Sequence, residues 1–217
     1  AAIAFSTGFQ TNQGVISSVA GKNDVIYCDR ENHASIFEGC RLSYGQVRKY
    51  LHNDMDDLER VLGLNDRGHG KLIACDGLFS MSGSLVDLPR LTELAAEYDA
   101  AVLVDDAHAI GVMGENGRGT AEHFGKEDEV DLILGTFSKS FGSLGGFVVG
   151  DEEVIHYVKH VARALIFSAS MTPASAASTL AALDIIESEP ERRHQLWKNA
   201  AKMKEGFESL GFNTLNS

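Results

Sequence analysis

The sequence predicts an α/β domain with a mostly parallel sheet flanked by helices, and two observations carry that expectation. Apolar runs without polar alternation, such as AAVLV at residues 100–104 and LIL at 132–134, suit strands buried on both faces. The order helix, apolar strand, polar loop recurs three times, the rhythm of a sheet whose ligands gather at the carboxyl ends of its strands.

Taken in order, residues 1–5 are a small apolar lead that stops at STGFQTN, and residues 10–20 read as a helix closed by Gly21. Gly8 and Phe9 then lie at a helix N-terminus, where free backbone N–H groups can take an anion, although a glycine there is more often only a turn. DVIYC at 24–28 reads as a strand, and after a polar loop a helix runs to about Ser43. His33 therefore sits where strand gives way to helix; a capping or solvated histidine is the competing reading. Residues 47–51 read as a further strand. Asp54 caps a helix whose Met55, Leu58, Val61 and Leu62 share one face, and its acidic first turn suits the helix dipole better than a metal. KLIACD at 71–76 is strand-like and leads into GLFSMSGS, with Ser80 at the bend. A helix over 89–98 and a strand over 100–105 follow.

The next loop, DDAHAIGVMGENGRG, sets Asp105 and His108 three apart. Its glycines at 114–119 read as a flexible segment that neither follows a strand directly nor opens a helix, so they are no dinucleotide fingerprint. The strand at 132–134 then breaks into GTFSKSFGSLGG around Lys139. An amine just beyond a buried strand is expected to be partly desolvated, which favours its neutral, nucleophilic form. Taken alone, that stretch fits a surface lysine in a glycine loop better. GFVVG at 146–150 reads as a returning strand and 151–163 as a helix, whose His156 and His160 lack the adjacent glutamate of a zinc hydrolase motif. ALIFSAS at 164–170 reads as a strand ending in hydroxyls. Pro173 opens an Ala-rich helix to about Glu189, and a charged helix runs from about Glu191 to Leu210. The expected division falls near Pro190, between residues 1–189 and 190–217.

At 217 residues and 44% hydrophobic composition the chain can bury a sizeable core, while a formal charge of -12 argues against nucleic acid as a partner. No apolar run approaches the roughly 18 residues of a membrane span, and AAIAF lacks the charged start of a signal peptide. Cys28, Cys40 and Cys75 are odd in number and lack metal-ligand spacing, so reduced thiols in a cytoplasmic protein are expected.

Five loops thus offer Gly8 with Phe9, Ser80, Asp105 with His108, Lys139 flanked by Thr136 and Ser138, and residues 168–170. Together they supply what pyridoxal 5'-phosphate needs: an amine, a carboxylate for the pyridine nitrogen, donors near the ring hydroxyl, and small and hydroxyl residues for the phosphate. A hydrolase triad is the competing use of Ser80, His108 and Asp105, but the chain has no G-x-S-x-G elbow, and no G-x-x-x-x-G-K phosphate loop either.

NHASI at 32–36, GLFSMSG at 77–83, VDDAHAIGVMGENGRG at 104–119 and GTFSKSFGSLGG at 135–146 resemble the α-oxoamine synthases, over nearly the whole chain. These are fold-type I pyridoxal phosphate enzymes that condense an amino acid with an acyl-CoA and release carbon dioxide. The resemblance implies that Lys139 holds the cofactor covalently and later removes the substrate Cα proton. It implies that His33 stacks on the ring and contacts the substrate carboxylate, that Asp105 pairs with the pyridinium nitrogen, and that His108 and Ser80 bond the ring oxygen. Backbone N–H groups of Gly8 and Phe9, with the hydroxyls of Thr136 and Ser138, would take the phosphate. The loop at 168–170 would reach the phosphate of the neighbouring subunit in a homodimer, although Ala169 stands where several relatives carry a hydroxyl. MSGSL at 81–85 lacks two acids that relatives often have. Relatives are longer at both ends, so the chain is expected to be an incomplete large domain with the start of a C-terminal one, the substrate-carboxylate arginine lying beyond Ser217. KSFGSLGGF and FSASMTPAS are most similar to the bacterial serine palmitoyltransferase branch, implying L-serine and a long-chain acyl-CoA as substrates. Branches that use alanine or glycine, and a non-catalytic partner subunit, are the alternatives.

Overall fold

The computed structural model describes residues 1–64 and 70–215. Among them, seven strands form one sheet: β1 (Ala2–Phe5), β2 (Val25–Asp29), β3 (Gln46–Tyr50), β4 (Lys71–Asp76), β5 (Ala101–Asp105), β6 (Leu132–Thr136) and β7 (Gly146–Gly150). Their order is β1-β7-β6-β5-β4-β2-β3, and β7 alone runs against the rest. The apolar lead is thus a strand, held antiparallel on β7 from Ala2 opposite Val149 to Phe5 opposite Gly146.

Helices cover both faces, as the strand alternation requires. Ile26, Cys28, Leu72, Ala74, Leu103, Leu132 and Leu134 point to one side, where α1 (Gly8–Val19), α2 (Ala34–Leu42) and α6 (Glu152–Val161) pack. The intervening Tyr27, Ile73, Cys75, Val102 and Val104 point to the other, against α3 (Met55–Leu62), α4 (Leu88–Tyr98) and α5 (Thr120–Phe124). Asp76, Asp105 and Thr136 end their strands with the parity of the first set. The polar residues at those ends therefore emerge beside the starts of α1 and α2.

Helix starts follow local chemistry. The side chains of Thr7, His33, Asp54 and Asp87 each accept a backbone N–H at the head of α1, α2, α3 and α4. Two expectations are corrected. Residues 164–170 form no strand: α7 (Arg163–Ile166) is a single helical turn after the buried Ala162, and irregular chain follows it. The side of β7 on which a further strand could pair is taken by β1, and one helical turn lets Leu165 reach the core while Ile166 and Phe167 face outward. Gly119, at φ +103°, does open a helix, the five-residue α5. A Cβ there would meet Asp106 Oδ2, and the Asp106 carboxyl holds the first turn of α5, accepting the Thr120 N–H on Oδ2 at 2.8 Å and the Thr120 hydroxyl on Oδ1 at 2.6 Å.

The last two helices, α8 (Pro173–Ser188) and α9 (Pro190–Ser209), meet at Glu189 and are mostly exposed. Buried Arg193 donates to the Glu115 carbonyl, and Trp197 to the Val112 carbonyl at 3.0 Å, which ties α9 to the loop after β5. Among the described residues no helix is long and apolar enough to cross a membrane.

The fold makes one stability prediction. Leu103 is fully buried at the centre of the sheet. Leu103→Ala should cost about 2–5 kcal/mol in denaturant unfolding, whereas an exposed control such as Leu180→Ala should be close to neutral.

Candidate active site

A cavity of about 280 Å³ opens at the carboxyl ends of the central strands. It is lined by Gly8, Phe9 and Asn12 from α1, His33 and Ser35 at the head of α2, Asp76 ending β4, Asp105 and His108 after β5, and Thr136, Ser138 and Lys139 after β6. Loops from β2 and β4 leave toward opposite faces of the sheet, so the cavity lies beside a topological switch point, the place where open α/β sheets hold ligands.

Each group has a local reason for its position. The first-turn N–H groups of Gly8 and Phe9 have no acceptor within the helix. A Cβ on Gly8 would lie 2.7 Å from Thr136 Oγ1, so glycine lets α1 begin close against β6. Thr136 Oγ1 donates to the Gly145 carbonyl at 3.0 Å and lies 2.9 Å from Ser138 Oγ, so two hydroxyls stand beside the free amides of α1. That cluster has the form of an anion site.

Asp105 is buried, yet three donors face it or its strand end. Asn12 Nδ2 donates to Oδ2 at 2.6 Å and the Ala107 N–H to Oδ1 at 2.9 Å, while the Asp105 carbonyl accepts the Gly77 N–H at 2.9 Å. Burial pushes its carboxyl up, and the Asn12 and Ala107 bonds oppose that rise. Asp76 stands in register with Asp105 on the next strand, and its Oδ2 accepts the His33 N–H at 2.6 Å. Its carboxyl is pushed up to about 8, first by burial and then by the Asp105 charge. Asp106, on the opposite side of the chain, rises to about 7, again chiefly by burial. Burial and then the Lys139 charge hold His108 below the usual imidazole range, so it stays neutral.

Most of the sequence-based site is brought together here: Gly8, Phe9, His33, Asp105, His108, Thr136, Ser138 and Lys139 all line the cavity. Ser80 is not among its lining residues; it lies exposed in the turn after β4. Lys139 lines the cavity but is exposed, contrary to the expectation of desolvation. The chain turns tightly beyond it, with the Gly142 N–H on the Lys139 carbonyl at 3.0 Å and Gly142 at φ +58°, and the turn projects from the sheet end. The loop at 168–170 packs on its own chain, where Ser168 Oγ accepts from Gln10 Nε2 at 2.7 Å and Ser6 donates to the Ala169 carbonyl. Asn12, Ser35 and Asp76 were not singled out from sequence, although a buried asparagine on the apolar face of a helix and a second strand ending in aspartate are readable signals. Among the described residues no cluster of His, Cys, Asp and Glu could hold a metal ion, His156 and His160 included.

His108 and Lys139 also line a second cavity of about 430 Å³, bounded by Ile110, Val112, Ile185, Ile186 and Leu196.

Comparison with known proteins places these motifs in context. The model of the aminotransferase class I and II family matches residues 1–217. A serine palmitoyltransferase of Sphingobacterium spiritivorum is 58% identical over 212 residues, 98% of this chain and 53% of the relative. The 8-amino-7-oxononanoate synthase 1 of Bacillus velezensis is 46% identical over 217 residues, all of this chain and 56% of that protein. The solved serine palmitoyltransferase of S. paucimobilis with bound PLP-myriocin aldimine superimposes with a TM-score of 0.97 at 36% identity, covering 100% of this chain and 55% of that one. The chain thus spans about half the length of the relatives it matches.

The buried acids make the stability of the cofactor-free protein pH-dependent. An acid with a raised folded pKa favours the folded state while protonated; the unfolded chain ionises first, so that stability is lost as pH rises toward the folded value. For Asp106 and Asp76 this loss extends up to about 7 and about 8. The urea midpoint should therefore fall between pH 5 and pH 8, and Asp76→Asn, which keeps an acceptor for the His33 N–H, should flatten the fall. Equal slopes for the two proteins would refute this assignment.

Proposed function

The chain belongs to the aminotransferase class I and II family, and from that premise we propose that it carries the pyridoxal 5'-phosphate site of an α-oxoamine synthase acting on L-serine and a long-chain acyl-CoA. The observation that carries the reading is the convergence of Lys139, Asp105, His33 and His108 on one cavity beside the Gly8, Phe9, Thr136 and Ser138 anion cluster. Identity of 58% to a serine palmitoyltransferase supports the choice of branch. The product would be a 3-ketosphinganine-type amino ketone, released with CoA and carbon dioxide.

The residues present fit the cofactor. Its phosphate matches the free amides of α1 and the paired hydroxyls, and its pyridinium nitrogen matches a buried carboxylate that gains from a cationic partner. When bound, pyridoxal phosphate supplies an electron sink for the substrate α-carbon. Lys139 would hold the cofactor through its Nζ and take the α-proton there. Asp105 would keep the pyridine nitrogen protonated, and Asn12 keeps that carboxylate aimed. His33 would cover the ring and meet the substrate carboxylate. Neutral His108 can share a hydrogen bond with the ring oxygen without adding charge. The second cavity, which shares His108 and Lys139 with the first and sets Ile110, Val112, Ile185, Ile186 and Leu196 beside Glu189, Arg192 and Arg193, supports a long acyl chain as the second substrate.

On the same reading the cofactor domain ends at residue 189, and two copies form a cytoplasmic homodimer. The three free, buried cysteines suit a reducing compartment. A synthase using alanine or glycine is the second reading, favoured by the 46% identity to an 8-amino-7-oxononanoate synthase.

Two outcomes are expected of the full-length protein. With cofactor, borohydride should fix a covalent adduct on Lys139, and Lys139→Ala should abolish it and slow CoA release at least about 100-fold; an adduct retained in the variant sinks the assignment. In a panel of serine, alanine and glycine against palmitoyl-CoA and pimeloyl-CoA, serine with palmitoyl-CoA should release CoA fastest. Preference for alanine with pimeloyl-CoA would transfer the chain to the second reading.

A further inference from the structure

His33 and Asp105 come from different strands, and a hydrogen-bonded chain links them. Its centre is Asn12, a residue only 2% exposed. Asn12 Nδ2 donates to Asp105 Oδ2 at 2.6 Å and to Ser35 Oγ at 2.8 Å. Ser35 Oγ lies 2.7 Å from His33 Nδ1, and the Ser35 backbone N–H meets the same nitrogen at 3.3 Å.

The protons in this chain can be placed by elimination. A backbone N–H can only donate, so Nδ1 is an acceptor and the neutral ring carries its proton on Nε2. Ser35 Oγ already accepts from Asn12, which leaves its own hydrogen to point at Nδ1. Turning the amide over would set Oδ1 against the Asp105 carboxylate oxygen at 2.6 Å, two acceptors face to face, so the nitrogen belongs where it stands. Asn12 Oδ1 is buried and accepts no hydrogen bond from the described residues. An unpaired buried acceptor is costly, and its presence marks a demand for the two donors on the other atom of the amide.

We infer that Asn12 and Ser35 are positioning residues, which together hold His33 as its Nε2–H tautomer and fix the orientation of Asp105. The donor on Asp105 also opposes the burial that pushes its carboxyl up. Locked this way, His33 offers a donor at Nε2: it can hold a substrate carboxylate and cannot accept a proton at that nitrogen. The purpose of the relay rests on the proposed cofactor site, whereas its geometry needs no cofactor.

Two-bond ¹H–¹⁵N spectra of the cofactor-free protein, with His33 assigned by His33→Gln, test this directly. The native protein should show a single Nε2–H tautomer. Ser35→Ala should bring in a measurable Nδ1–H share, and Ser35→Thr should restore the native spectrum. Asn12→Leu should weaken pyridoxal phosphate binding about tenfold in an absorbance titration. An Nδ1–H ring in the native protein overturns the inference without recourse to any variant, and so decides the matter should a variant fail to fold. Folded Ser35→Ala and Asn12→Leu proteins with native tautomer and native affinity overturn it too. A locked Nε2–H ring in a protein that binds no pyridoxal phosphate would instead sink the proposed function and leave the relay standing.

Discussion

Asp76 and Asp105 end neighbouring parallel strands in direct register, both buried, and two like charges so placed cannot be kept without donors aimed at them. The surroundings supply those donors unequally. Asp105 receives Asn12 and the Ala107 N–H, whereas Asp76 receives the His33 N–H and rises to about 8, which keeps it mostly protonated near neutrality. Burial raises both carboxyls, and the two donors on Asp105 oppose that rise on the side of the pair that lines the cavity with Asn12. The same requirement places secondary structure: the His33 N–H can reach Asp76 only if α2 begins there. Buried Asn32 completes that join, donating to the Ala74 carbonyl at 2.8 Å and accepting the Asp76 N–H at 3.0 Å.

The neighbouring acid does a different task because it leaves the strand on the other side. The Asp106 N–H bonds the Leu134 carbonyl at 2.8 Å, and its carboxylate is taken up entirely by Thr120. A Cβ on Gly77 would lie 2.0 Å from Asp106 Oδ1, and one on Gly119 would lie 2.1 Å from Oδ2. These two glycines are needed for close approach to a buried carboxylate, with a positive φ added at Gly119. In the pair Asp105–Asp106, one residue faces the site and the other braces the loops around it.

This division explains what was legible in the sequence. The strand KLIACD matches β4 residue for residue, because a buried parallel strand leaves an unbroken apolar run. Eight of the nine expected site positions meet in the cavity because a parallel sheet sends every loop of that kind to one edge. ALIFSAS has the β propensity of a strand but not its place in the sheet: its course as one helical turn depends on β1 occupying the edge beside β7, a pairing of residues as distant in sequence as Ala4 and Phe147 in which propensity has no part. Ser80 is exposed and outside the cavity lining, since the bend of a loop fixes proximity to the sheet end but not which side chain enters the cavity. Asn12 passed unremarked although it shares the buried face of α1 with Val15 and Ile16, where a polar residue needs a partner.

Lys139 shows where the chemistry of the site must come from. It is exposed in the chain described, so burial does not distinguish it from other surface amines. Its backbone is another matter. Ser140 Oγ donates to the Ile110 carbonyl at 2.7 Å, Ser143 Oγ to the Ser175 carbonyl at 2.9 Å, and Phe137 stacks on Phe147 while meeting Phe141 edge-on, each pair at 5.3 Å. The loop is therefore pinned to the loop after β5, to α8 and to β7, while the Lys139 side chain itself is exposed. A lysine held this way is selected by position: its backbone is fixed beside the strand ends that bear Asp105 and the anion cluster.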